Sequence, residues 1–185
     1  MAMPCSSSEF INRTSTPPPL PAALTCPPAA PPEEGDAQRV YLSLGSNLGD
    51  REALLQRAIK EIAKHIGPVV AQSDFVETEP WGFQSPHHFL NACIAVETKL
   101  TPQDLLHETQ AIERLLGRTT KTHDGVYTDR PIDIDILLYG HLRLETEELT
   151  LPHPRMLQRP FVIEPLRQIA PRVVADLVAD TQQKE

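Results

Sequence analysis

The run Ile132-Asp133-Ile134-Asp135-Ile136-Leu137-Leu138 alternates apolar and acidic residues and then turns wholly apolar. A period of two puts Ile132, Ile134 and Ile136 on one face of a strand and Asp133 and Asp135 on the other, about 7 Å apart along the backbone. An isolated Asp-x-Asp is most often the wet face of an amphipathic strand. Strands are poor in Asp, however, and two like charges on one face repel. A pair set inside an otherwise apolar strand therefore points to a compensating cation. Two carboxylates with no His or Cys beside them favour a hard ion such as magnesium.

The periodicities around that strand change in order. Val40-Tyr41-Leu42-Ser43-Leu44 is a short apolar run closed by Gly45, which predicts a strand. Asp50 is a plausible N-cap for a helix carrying Leu55, Ala58, Ile59, Ile62 and Ile66 at helical spacing up to Gly67. Residues 69–78 and 89–98 read as two further strands, the second alternating Leu90, Ala92, Ile94 and Val96 against Asn91, Cys93, Ala95 and Glu97. Thr101-Pro102-Gln103-Asp104 supplies an N-cap, a first-turn proline and a first-turn acid for a second helix ending at Gly117. With the Asp-bearing strand the order is β-α-β-β-α-β. That is the split βαβ signature of a ferredoxin-like sandwich, an α+β fold in which two helices cover one face of an antiparallel sheet. Beyond Gly140 the sequence predicts a short hairpin, then Leu151-Pro152-His153-Pro154 and a helix over 161–169 stopped near Pro171.

The 185 residues suffice for one domain with a tail. Nine of the 19 prolines lie between Pro4 and Pro32, so residues 1–38 read as a disordered, Pro-rich arm, either an extension without a role or a ligand for a proline-recognising partner. The domain is expected over residues 39–174, followed by a polar tail over 175–185. A net charge of −8 argues against a broad grip on nucleic acid, and no apolar run approaches a membrane span. Three cysteines, with no metal-type or redox-type pair among them, suit a reducing cytoplasm. No obligatory protein partner is evident.

Phosphate chemistry must then be local. Arg118, Lys121 and Arg130 bracket the segment before the Asp-bearing strand, where cations beside a metal-binding carboxylate pair suit a polyphosphate, although solvated loop charges are the simpler reading of any one alone. Neither a Walker A sequence nor G-x-G-x-x-G is present, so a nucleotide would be held by side-chain cations and metal rather than by a glycine cradle. Taken singly, Gly45-Ser46-Asn47-Leu48-Gly49-Asp50 is a turn, Phe89 and Phe161 are core residues, Asn91 is a satisfied polar group and His153 has a local role.

In combination these segments resemble the 6-hydroxymethyl-7,8-dihydropterin pyrophosphokinase family across about residues 40 to 172. The resemblance rests on Gly45 to Asp50, Thr78-Glu79-Pro80-Trp81-Gly82, Phe89-Leu90-Asn91-Ala92, Gly117-Arg118, Asp129 to Leu137, and Leu151-Pro152-His153-Pro154-Arg155-Met156 with Arg159 and Phe161 after it. It implies transfer of the β,γ-diphosphate of ATP to the hydroxymethyl group of a reduced pterin, with release of AMP, in folate biosynthesis. It also implies two magnesium ions on Asp133 and Asp135, with Arg118 and Arg130 completing the catalytic group. Phe89 and Phe161 would sandwich the pterin, Asn91 would bond its polar edge, and Thr78 and Trp81 would complete that pocket. Gln110, Glu113, Arg118, Arg130, Ile136, Thr150, His153 and Arg159 would contact ATP.

The chain departs from the family pattern between Arg118 and Arg130, where many members carry a Trp and further Arg residues and this one has Thr120, Val126 and Tyr127. Roles for Lys121 and Tyr127 in closing the site are therefore open. Glu148 stands near a position that can be basic in the family, and Pro154 where an aromatic sometimes occurs. The rival readings are an inactive ferredoxin-like binding module, an RNA-binding ferredoxin-like domain and another metal-dependent nucleotidyltransferase. Intact Asp133, Asp135 and Arg130 oppose the first, the acidic strand opposes the second, and the Phe89, Asn91 and Phe161 constellation is unneeded by the third.

Overall fold

A computed structural model describes residues 36–118 and 128–182. Residues 1–35 of the expected arm, together with Lys121 and Tyr127, lie outside the described residues. Strand β1 (Gln38–Ser46) occupies the middle of the sheet, and its alternating Val40, Leu42 and Leu44 are fully buried on one face. It pairs antiparallel with β4 (Phe89–Thr98) and with β5 (Asp133–Tyr139). Adding β2 (Val69–Gln72) gives the order β2-β4-β1-β5, and β3 (Val76–Thr78) also pairs with β4. This is the strand order of the expected ferredoxin-like sheet.

The segment 69–78 is two short strands rather than one. Ser73, 5% exposed, turns inward between them. Its N–H donates to Cys93 O, and its hydroxyl accepts from the Cys93 N–H, both at 2.9 Å. A side chain thus takes over one ladder bond, and the strand breaks there.

Helices α1 (Arg51–His65) and α2 (Pro102–Leu115) pack on the face bearing Leu42, Leu44, Ile94, Val96, Ile134 and Ile136. Each starts where the sequence places a cap: Asp50 Oδ1 accepts from the Ala53 N–H at 3.1 Å, and Thr101 Oγ1 from the Asp104 N–H at 3.2 Å. Their inward stripes, Leu55, Ala58 and Ile62 on α1 and Leu105 and Ile112 on α2, are at most 2% exposed. Each fully buried leucine or isoleucine there contributes about 1.5–3 kcal/mol.

The opposite face is covered as well, by the hairpin and helix expected beyond Gly140 and by one further helix. After the hairpin of β6 (Leu144–Glu145) and β7 (Thr150–Leu151) come a 3-10 turn at Met156–Gln158, helix α3 (Pro160–Ile169) and helix α4 (Pro171–Gln182). Met156, Val162, Leu166, Ala170 and Val174 bury Cys93, Leu137 and Leu138 of the sheet. Pro171 ends α3 but also opens α4, because a proline at the first helical position gives up an N–H that the helix does not use. Helix α4 continues through position 174, the expected end of the domain, and Leu177 packs on the same cluster. No helix among the described residues is long and apolar enough to cross a membrane.

Candidate active site

Strand register alone assembles the floor of the site. Gly45 of β1 stands between Asn91 of β4 and Asp133 of β5, and Ser43 stands between Cys93 and Asp135. Thr78 of β3 pairs with Phe89 of β4. Residues of one row share a face, so the carboxylate pair and the Asn91 amide lie side by side, separated by a residue with no side chain. A Cβ on Gly45 would come within 3.0 Å of Asn91 Oδ1 and 3.6 Å of Phe89 Cδ1. With any larger residue the Asn91 amide would have to give by a few tenths of an ångström, so glycine keeps the floor open.

Asn91 is 3% exposed and its Nδ2 donates to Thr78 Oγ1 at 2.8 Å. That bond fixes the amide and leaves Oδ1 above Gly45 as an acceptor. Phe89, Phe161 and Trp81 line the same cavity as Asp133 and Asp135, and so does Phe83. Trp81 and Phe161 have ring centroids 6.4 Å apart, and Phe83 meets Phe89 at 6.2 Å.

Three arginines compensate the acidic side. Arg118 Nη1 donates to both Glu113 Oε1 and Asp133 Oδ1. Arg130 Nη2 lies 2.8 Å from Asp133 Oδ2, and Arg159 Nη1 3.3 Å from Asp135 Oδ2. Glu113 also accepts the Ile134 N–H at 2.8 Å, so α2 is stitched to β5 beside the pair. Arg130 sits 5.5 Å from the centroid of Phe89, while Arg159 sits 5.2 Å from that of Trp81 and 5.8 Å from that of Phe161. Arg130 and Arg159 thus each touch one carboxylate and at least one ring, whereas Arg118 bridges two carboxylates.

The ionisable groups feel this crowding. Burial raises Glu113 to about 7, with Arg118 opposing and Asp133 adding to the shift. Asp135 rises to about 6, first by desolvation and then by the Asp133 charge, against the pull of Arg159, Arg130 and Arg118. A third of the Asp135 side chain nonetheless remains open to the cavity. His153 falls to about 4 through burial and then the Arg159 cation.

Other residues expected to hold ATP are more dispersed. Gln110 borders a separate small cavity with Leu106, His107 and Glu148. Thr150 lies in β7, and His153 follows it, its N–H donating to Leu137 O at 2.9 Å. Ile136, 4% exposed, points into the core beneath α1 and α2, away from the carboxylates.

Asn47 carries more than a turn. It is 2% exposed, its Oδ1 accepts the Arg130 N–H at 2.7 Å, and its Nδ2 donates to Asp129 Oδ1 at 2.7 Å and to His87 O at 3.4 Å. One amide therefore ties the entry to β5 to the loop before β4 and places Arg130. Gly45, Ser43, Phe83 and Asp129 likewise join the site without having been singled out individually. Only the register of β1 against β4 and β5 could have signalled the first two.

Asp133 and Asp135 are oxygen donors, suited to magnesium. No group of three or more His, Cys, Asp or Glu that could hold a metal occurs among the described residues. A two-carboxylate site of this kind leaves coordination positions for water and phosphate. The residues present fit the ion.

The family model described as 7,8-dihydro-6-hydroxymethylpterin-pyrophosphokinase (HPPK) matches residues 41–171. The 2-amino-4-hydroxy-6-hydroxymethyldihydropteridine pyrophosphokinase of Porphyromonas gingivalis is 59% identical over 133 residues, covering 71% of this chain and 90% of that protein. The protein of the same name from Bacillus subtilis is 41% identical over 146 residues, covering 78% and 86%. In fold, the chain is similar to the wild-type HPPK-DHPS of Plasmodium falciparum solved with SDX-DHP. The TM-score is 0.58 at 16% identity, over 74% of this chain and 41% of that one. The chain belongs to the 7,8-dihydro-6-hydroxymethylpterin pyrophosphokinase family.

Proposed function

We propose that this chain transfers the β,γ-diphosphate of ATP to the hydroxymethyl group of 6-hydroxymethyl-7,8-dihydropterin in folate biosynthesis, releasing AMP. The observation that carries this reading is the strand row that sets Asp133 and Asp135 beside the Asn91 amide, with aromatic rings and three arginines gathered around them.

Phe89 and Phe161 take the faces of the planar heterocycle, and Asn91 Oδ1 accepts from its N–H edge while Thr78 holds the amide. Asp133 and Asp135 hold two magnesium ions. Bound there, magnesium neutralises the polyphosphate and lowers the pKa of the attacking hydroxyl. Arg118, Arg130 and Arg159 exchange their carboxylate partners for phosphate oxygens, where bidentate, charge-assisted hydrogen bonds stabilise the charge of a loose phosphoryl-type transition state. Glu113 orients Arg118. Trp81 lies over Arg159 and Phe161 and shields the reacting atoms from water. Gln110, Ile136, Thr150 and His153 contact the nucleotide, Ile136 through its backbone. A cytoplasmic location belongs to the same reading, supported by the buried free thiol of Cys93.

The test is AMP release from ATP in the presence of magnesium and the dihydropterin. AMP and the diphosphorylated pterin should appear together, stop with EDTA, and be nearly abolished in Asp133→Asn and Asp135→Asn. Absence of both products from folded wild-type protein would overturn the reading.

A further inference from the structure

The two aromatic walls of the proposed pterin pocket are braced in different ways. Phe161 is flanked by Trp81 and by the Arg159 guanidinium. Phe89 is met by Arg130 and by Phe83, whose ring stands edge-on to it at 86° and 6.2 Å. On a third side Phe89 meets Gly45, which offers no side chain.

Arg130 is a poor permanent brace. It already bonds Asp133 at 2.8 Å, and any polyphosphate entering the site competes for the same guanidinium. Phe83 carries no charge, so its edge-to-face contact is indifferent to what Arg130 does. It also sits in the 79–88 loop, where Trp81, Gln84, Pro86, His87 and His88 are exposed while Phe83 is half-buried and faces the cavity. Gly82 just before it has φ +83°, a left-handed turn that L side chains rarely adopt, and this turn brings both Trp81 and Phe83 to the cavity.

We propose that Phe83 is a positioning residue that sets pterin affinity. It holds the Phe89 ring in the plane that makes one wall of the slot, and it ties the 79–88 loop to the pocket once Arg130 has turned to phosphate. The proposal rests on the reading of Phe89 as a pterin wall.

Phe83→Ala and Phe83→Leu are compared with wild type and with Phe83→Tyr, which keeps the ring edge. Dihydropterin binding is followed by fluorescence with magnesium and a non-hydrolysable ATP analogue present, alongside KM, kcat and affinity for the analogue. Loss of the edge-to-face contact should weaken pterin binding roughly three- to tenfold in the Ala and Leu variants. The pterin KM should rise in step, kcat should hold within about twofold, and nucleotide affinity should not change. Phe83→Tyr should bind as wild type does. Should Phe83→Ala fail to fold, Phe83→Leu, which keeps most of the volume, carries the comparison. Unchanged pterin affinity in the folded variants overturns the role, and so does an equal loss of pterin and nucleotide affinity, the mark of a general loosening. Wild-type protein that binds no pterin overturns the underlying reading as well, which separates the two failures.

Discussion

Replacing Asn47 with Ala should disable the site from a distance. The buried side chain joins three segments through one amide. Its bond to the Asp129 carboxylate involves a charged partner, for which about 1.5–3 kcal/mol is typical, and its bond to the Arg130 N–H is a neutral one of about 0.5–1.5 kcal/mol. The contact to His87 O, at 3.4 Å, is too long to add much. Asn47→Ala should therefore cost about 2–4 kcal/mol, lowering Tm by about 5–15 °C in a domain of this size. Arg130, beside Asp133 and Phe89, then keeps only the Asn47 N–H to Arg130 O bond of 3.2 Å as its tie to this turn. A misplacement of about 1 Å in a positioning group costs on the order of a hundredfold in rate. Thermal unfolding and steady-state AMP release measure the two effects on one preparation. Asn47→Asp sharpens the test, because it keeps the acceptor for Arg130 but sets a carboxylate against Asp129, and it should be no better than Ala. A Tm within about 2 °C of wild type together with kcat/KM within about threefold would refute the anchoring argument.

Three further outcomes follow from the same geometry. Gly45→Ala puts a methyl 3.0 Å from Asn91 Oδ1, so pterin binding should weaken by about tenfold or more while ATP binding and fold persist; wild-type pterin affinity by titration would sink this account of the floor. Folded His153 has its pKa lowered to about 4, whereas an unfolded histidine takes its proton near 6.5, so acidification between those values favours the unfolded chain and stability falls there. His153→Asn should flatten that part of the pH dependence of the urea midpoint, and an unchanged slope would count against the assignment. Ending the chain after Val174 removes Leu177 from the second core and breaks the exposed Arg143–Asp180 pair, 2.6 Å long. The apolar loss should cost about 1–2 kcal/mol and the pair little, and a urea midpoint equal to wild type would show that α4 is dispensable there.

Much of the fold was legible in local pattern. The caps at Asp50 and Thr101, the helical stripes after them and the alternation through Asp133 and Asp135 are each written within a dozen residues, and each element formed where its pattern stood. The breaks in the reading came where distant groups took part. The strand over 69–78 splits because the Ser73 hydroxyl meets the Cys93 N–H of another strand, a bond that no window around Ser73 contains. Residues 175–182 of α4 read as part of a polar tail, and the cluster that holds Cys93, Leu137, Met156 and Val174 gives Leu177 something to pack on.

The site divides along the same line. Residue types and their order along the chain mark out the carboxylate pair, the arginines, the two phenylalanines and the asparagine, since chemistry that handles phosphate and a flat heterocycle has few side chains to choose from. Their meeting is a matter of register: Gly45 and Asp133 stand 88 positions apart in the chain, and only the alignment of β4, β1 and β5 sets them in one row with Asn91. Which arginine guards which carboxylate, that Ile136 turns to the core, and that Asn47 and Phe83 hold other residues in place all depend on where distant segments pack. Local pattern reports what a side chain is and which face it takes; close packing of segments far apart in the chain sets what that face meets.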